Sequence, residues 1–315
     1  MLDNIVIIAP IFIIMIVGFM MGKTNVFPEG SGAARTFSTF TWYVAIPALI
    51  FKLLSSNRFP GGEEFLNVAG YYSVLYVIYF ISAFLVAPRL RINKEGRGIF
   101  AISCVFGNLG FMGIPIIEST LGNEGLRILL MIISFHMLTL LPITTLITEM
   151  SKPKTDSVWK VLSISIVNSL KNPVVISLVA GLSWSASGLV LSPIALRILD
   201  FPAAAAAPVG LFAVGLSLSR VQLKGELFPA SVPVFLKMAL LPLGVYGMMT
   251  VVLDAPLIWV NTTTLAACMP TGFLAYSVAD QNNNGANRTA STIMIAAIVS
   301  SFSLIIAVSL LKING

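Results

Sequence analysis

Apolar residues run along this chain in ten stretches of roughly 20 residues, separated by short polar connections. The first five lie at 4–22, 37–55, 66–87, 98–118 and 126–149, and the second five at 173–190, 193–219, 228–253, 256–280 and 289–312. Each is long enough to cross the hydrocarbon layer of a bilayer as an α-helix. Ser192-Pro193 and Phe201-Pro202 offer competing starts for the seventh helix. The pattern divides the chain into a five-helix repeat at 1–149, a basic linker at 150–172 and a second five-helix repeat at 173–315. An odd number of crossings per repeat forces the two copies into opposite orientations, so the predicted architecture is an inverted repeat.

Two of the ten runs cannot stay helical. The fourth contains Gly107-Asn108-Leu109-Gly110-Phe111-Met112-Gly113-Ile114-Pro115, and the ninth contains Met269-Pro270-Thr271-Gly272. Irregular backbone at membrane depth survives only where protein or a water-filled cavity satisfies its N–H and C=O groups. Breaks at matching places in two halves point to a transporter's binding site. The second and seventh runs also correspond, through Pro47 and Pro208; kinks that only serve packing are the competing explanation.

Composition agrees with a polytopic membrane protein: 57% of residues are hydrophobic, 10% are charged and the mean hydropathy is +0.94. The first run follows Asp3 without a preceding Lys or Arg or a small-residue cleavage pattern, which predicts a retained span. Cys104 and Cys268 lie inside apolar runs without metal-ligand spacing and are expected to be buried small side chains. The net charge of +6 comes from scattered residues with no interleaved aromatics, so nucleic acid is not an expected partner.

The basic residues instead report topology. Connections after odd-numbered helices hold Lys23, Arg35, Arg89, Arg91, Lys94, Arg97, Lys152, Lys154, Lys160, Lys171, Arg220, Lys224 and Arg288, whereas the opposite side holds Arg58, Arg127, Arg197 and Lys312. That bias places both termini on the outer side of the membrane. In the linker, Val158, Leu162, Ile166 and Leu170 recur at helical spacing beside Trp159 and Lys160, as in a helix lying on the inner surface.

A helix broken in mid-membrane presents carbonyls from one half and N–H groups from the next at the same depth. An anion can rest on the positive ends without an intramembrane lysine. Gly107, Gly110 and Gly113 allow close approach, Pro115 and Pro270 remove donors, Asn108 supplies an amide, Thr271 a hydroxyl, and Gly272 a bare backbone. For the glycines alone, packing through small faces is the competing reading. His136, the single histidine, sits within the fifth helix, where it can bond substrate, relay a proton or satisfy a neighbouring carbonyl. Lys52, near the end of the second helix, and Lys237, in the eighth and closer to the inner surface, each either snorkel or attract anions. The acidic residues fall at helix ends or in loops, so a carboxylate relay for sodium or proton coupling is missing. Sodium can still be held by carbonyl, Asn or Ser oxygens, with Asp280 nearby, and no metal or organic cofactor is implied.

These segments resemble the auxin efflux carrier family. The resemblance rests on Ile46-Pro47-Ala48-Leu49, on Gly107 to Pro115, on Ala207-Pro208 with Gly215-Leu216-Ser217-Leu218, and on Met269 to Gly272. It implies a ten-helix inverted-repeat carrier, similar in fold to bile-acid sodium symporters and sodium/proton antiporters. Helices 1, 2, 6 and 7 would form a scaffold, and helices 3 to 5 and 8 to 10 a transport domain whose crossed fourth and ninth helices bind substrate. Relatives of this kind pair as homodimers through the scaffold and move organic anions by an elevator motion: malonate, malate or lactate in bacteria, the indole acid auxin in plants. The chain lacks the long central loop of the plant members and so resembles the compact, prokaryotic type of the cell membrane, the bacterial inner membrane. Ile50 stands where plant members place a serine, which removes one polar contact.

The expected function is therefore secondary transport of small organic anions. A sodium-coupled symporter of larger amphipathic anions is the alternative within transport. A membrane sensor lacks a soluble output domain, and an intramembrane enzyme lacks His-Glu-x-x-His, Gly-x-Ser-x-Gly and paired helical aspartates.

Overall fold

The computed structural model describes residues 2–24, 26–27, 32–56, 61–152, 157–219 and 227–311. Arg58, Lys154, Arg220, Lys224 and Lys312, used above for topology, lie outside the described residues. The chain is helical, and among the described residues the single β-type pairing is an isolated bridge. The elements are α1 (Leu2–Lys23), α2 (Ala33–Ser55), α3 (Gly62–Arg89), α4 (Arg97–Val105), α5 (Leu109–Glu149), α6 (Val158–Leu170), α7 (Pro173–Ser187), α8 (Pro193–Leu218), α9 (Leu227–Val252), α10 (Leu257–Cys268), α11 (Phe273–Gln281) and α12 (Ala286–Leu310).

Six of these helices, α2, α3, α5, α8, α9 and α12, are long and apolar enough to cross a membrane; α6 and α7, bent by 65° at their junction, make a seventh if taken as one span. The sequence pattern suggests ten. The difference lies in α1, of which Ala9–Lys23 counts only as a shorter apolar helix, and in the broken helices: α4, α10 and α11 have 9, 12 and 9 residues, short of the roughly 20 a crossing needs. In addition, α5 counts once although Gly122, at φ 64° and ψ −160°, splits its ladder in a region open essentially to glycine.

Proline shapes the long helices in a regular way. Ile46, Ala87, Ile114 and Leu241 each precede a proline, and each donates its N–H to the carbonyl five residues back rather than four. A proline ring clashes with the carbonyl four residues upstream and leaves it without a donor. Widening one turn relieves the clash without breaking the helix.

Burial is inverted relative to a water-soluble protein. Large apolar side chains such as Ile16, Phe84, Ile198, Phe201, Phe235 and Phe302 face outward, whereas many Ser, Thr and Asn side chains are inside. Lipid covers such a surface as readily as a core would. In α6 the outward residues include Val158, Trp159, Ile166 and Leu170, and Val161, Ser165 and Ser169 are buried.

Packing falls into two groups. In one, α1 lies along α8, and the second half of α2 packs on α7 and α8. In the other, α4 contacts α3, the end of α5 and α9, while α10 contacts α9 and the middle of α5 and α11 packs on α12. Every residue from Gly98 to Val105 in α4 and from Trp259 to Cys268 in α10 is buried, so both short helices are enclosed on all sides. The start of α5 at Leu109–Gly113 joins the groups by packing on α8.

Candidate functional site

The two breaks meet. After α4, Phe106 turns extended (φ −73°, ψ 105°); after α10, Met269 does the same (φ −63°, ψ 140°) ahead of Pro270. The extended pieces run antiparallel with Gly107 opposite Thr271. Asn108 donates its N–H to the Pro270 carbonyl at 2.7 Å, and Gly272 donates to the Phe106 carbonyl at 2.9 Å. Strand-like pairing thus satisfies backbone that lipid would leave bare.

The carboxyl ends of both half-helices are capped across the site. Thr271 Oγ1 donates to the Ser103 carbonyl at 3.0 Å, near the end of α4. Lys237 Nζ, from α9, donates to the Ala267 carbonyl at 2.5 Å, near the end of α10. The N–H groups that open α5, those of Leu109, Gly110 and Phe111, have no carbonyl four residues back within their helix and form its positive end. Lys237 is 0% exposed, Thr271 1% and Asn108 7%, so the crossing is sealed from water in this conformation. The Asn108 side chain accepts no helix-capping bond.

His136 lies beside the crossing, its ring 5.5 Å from that of Phe106 in an edge-on contact. Its Nδ1 is 2.5 Å from the Tyr72 hydroxyl, which is also 2.7 Å from the Ile132 carbonyl. The carbonyl can only accept, so the tyrosine proton goes there and Nδ1 donates to the hydroxyl. Nε2 is then the accepting nitrogen, and it is buried without a partner among the described residues.

Of the residues singled out in the sequence, the fold brings Gly107, Asn108, Pro270, Thr271 and Gly272 into contact, with His136 alongside. Gly110 instead faces Trp42 and Ile46 of α2, and Gly113 packs on Leu129. Pro115 is buried just beyond the widened turn. Pro47 and Pro208 belong to α2 and α8, near the Trp42–Phe111 ring contact at 5.6 Å and the packing of Phe111 on Gly210. Lys52 forms an ion pair with Asp200 of α8, and both are substantially exposed. Asp280 is exposed at the end of α11.

Of the two readings of Lys237, snorkelling does not hold. The side chain does not reach the inner surface but turns inward to the Ala267 carbonyl, because the end of α10 offers an acceptor within reach. Arg127, placed above in an outer connection, is also buried and forms an ion pair with Glu64 at the start of α3. Tyr72, Ser103 and Phe106 escape sequence reasoning too, since aromatic and hydroxyl residues occur throughout the apolar runs.

A family model described as membrane transport protein matches residues 4–308. The chain belongs to that family. The auxin efflux carrier resemblance of its motifs therefore holds over nearly the whole chain, and the protein is a multi-pass membrane transporter. Among relatives of this family, a protein of Rhizobium meliloti (strain 1021) named "Putative malonate transporter" is 28% identical over 313 residues, covering 93% of this chain and 91% of the relative. A second, from Methanothermobacter thermautotrophicus and named "Uncharacterized transporter", is 23% identical over 294 residues, covering 93% of this chain and 94% of its own length.

Proposed function

We propose that the protein is a secondary carrier of small organic anions, with short mono- and dicarboxylates as its substrate class and malonate as the first candidate. The observation that carries this reading is the reciprocal pairing of the two breaks, Asn108 to Pro270 and Gly272 to Phe106. It sets one positive helix end, the Asn108 amide and a buried ammonium around one point. The name of the Rhizobium relative supports the dicarboxylate assignment.

On this reading the chain makes ten crossings in two inverted five-helix repeats, 1–149 and 173–315, joined by the 150–172 linker on the inner surface. The half-helices α4 and α10 each complete a crossing with the segment that follows. The group of α1, α2, α7 and α8 is the scaffold and pairs as a homodimer, with both termini outside the cell membrane. The other group carries Asn108 and Thr271 across in an elevator motion. Trp42, Ile46 and Gly210 are the surface along which Gly110 and Phe111 slide.

The test is uptake of labelled malonate into proteoliposomes, preceded by a thermal-shift screen of mono- and dicarboxylates and indole acids with and without sodium. A hydrogen bond to a charged group contributes about 1.5–3 kcal/mol, so Asn108→Ala is expected to lower apparent affinity about 10- to 150-fold. Unchanged uptake by Asn108→Ala would overturn the site assignment, and a wild type that binds no carboxylate would overturn the function.

A further inference from the structure

We infer that Lys237 is the charge receptor of the carrier: in the empty site its ammonium is held by the Ala267 carbonyl, and a substrate carboxylate takes that carbonyl's place. The inference rests on the anion-carrier reading above and names the residue that makes it selective for anions.

Three observations converge on this lysine. It is completely buried in α9, inside a group of helices whose other buried side chains are mostly neutral. Its ammonium carries three N–H donors, and among the described residues its one hydrogen bond goes to Ala267, a neutral carbonyl. Among the described residues, no carboxylate lies within ion-pair distance of it. A buried ammonium without a counter-charge is unfavourable, and a half-helix carbonyl end supplies only a partial negative charge. A full carboxylate is the ligand that completes such a group.

The position of the ammonium also fits. A Cβ built on Gly107 would lie 3.4 Å from both Cε and Nζ of Lys237, so the lysine rests against the bare backbone one residue before Asn108. A carboxylate arriving there meets the ammonium on one side and the opening turn of α5 on the other. Because Lys237 stands on α9 whereas Asn108 and Thr271 come from the two breaks, three segments would close on one anion. Release restores the Ala267 contact, which keeps the ammonium satisfied while the empty carrier returns.

The experiment uses the full chain in detergent and in proteoliposomes, with malonate as probe and its neutral dimethyl ester as control. Truncating one partner of a buried charge pair removes at least roughly 2 kcal/mol of binding, about 30-fold. Lys237→Gln is therefore expected to lose 30-fold or more in malonate affinity. Lys237→Arg, which keeps the charge, should stay within about tenfold of wild type, a rescue that a purely structural role would not produce. The dimethyl ester carries no charge, so Lys237→Gln should weaken its binding far less than that of malonate, and an equal loss for both would overturn the charge role. Gly107→Ala leaves the lysine intact but puts a methyl group beside Nζ, and it too should weaken malonate binding; it decides the matter if Lys237→Gln does not fold. If wild type binds malonate and Lys237→Gln and Gly107→Ala bind it within threefold of wild type, this inference is wrong and the carrier reading stands. If wild type binds no carboxylate at all, the carrier reading itself fails.

Discussion

Replacing Gly272 by Ala probes the crossing directly, without reference to any ligand. Gly272 has φ −80° and ψ 150°, which any residue adopts, so the substitution brings no backbone strain of its own. The added Cβ, however, would lie 2.9 Å from Phe106 Cδ1 and 3.0 Å from both Phe106 Cε1 and the Gly107 carbonyl oxygen. The ring has little room to yield, because its edge contact with His136 is already close at 5.5 Å between centroids. The carbonyl oxygen is main chain and belongs to the bridge. Relief therefore requires the two extended pieces to separate, stretching the 2.9 Å Gly272–Phe106 bond. Overpacking costs about 1–3 kcal/mol, and a weakened hydrogen bond adds about 1 kcal/mol, for a total near 2–4 kcal/mol. Gly247→Ala is the matched control: among the described residues nothing lies within 4 Å of its Cβ, and alanine in a helix gains about 0.5–1 kcal/mol over glycine. Melting followed by tryptophan fluorescence in detergent should show Gly272→Ala lower than wild type by on the order of 5 °C, with Gly247→Ala equal or higher. If Gly272→Ala melts with wild type, the breaks are not paired as described.

Two further outcomes follow from buried polar groups. Tyr72→Phe removes the hydroxyl that accepts from His136 and donates to Ile132, so the buried Nδ1–H loses its acceptor while the Ile132 carbonyl keeps the His136 main-chain N–H; a loss of about 1–3 kcal/mol is expected in the same melting assay, and no change would refute the assigned network. Glu64→Leu strands the Arg127 guanidinium in a buried setting and should cost about 3–5 kcal/mol, whereas Glu64→Leu with Arg127→Met should recover most of it; a double variant no better than the single would show that the pair is not one unit.

Much of this organisation is legible in the sequence, and the residues that are not share a cause. The breaks at Gly107 to Pro115 and Met269 to Gly272 announce themselves because glycine and proline change what the backbone can do, and that effect is local. Their meeting is not local, since the Thr271–Ser103 bond spans 168 residues; only the matching of the two halves hints at it. The widened turns before Pro47, Pro88, Pro115 and Pro242 could have been read from the prolines, for the clash that produces them lies within one turn. Lys237 is visible as a lysine in an apolar run, but a long flexible side chain can reach either the interface or an inner carbonyl, and only the placement of α10 decides between them. Glu64 and Arg127 likewise read as ordinary residues at helix ends, because nothing in either local pattern names the other. The span count differs for a related reason: apolar content marks a crossing, while hydrogen-bond continuity ends α4 and α10 partway.

The cross-tie between the breaks also sets a timetable for biogenesis. Ser103 emerges from the ribosome 168 residues before the threonine that caps its carbonyl. At about 5–20 residues per second, that interval lasts roughly 8–34 s. Throughout it, the Ser103 carbonyl sits in or beside the membrane without the threonine hydroxyl that caps it in the folded protein. Insertion machinery, water or a transient neighbour must shelter that carbonyl until α10 and α11 arrive. Variants that weaken the crossing are therefore expected to lower the yield of assembled protein before any loss of performance can be measured.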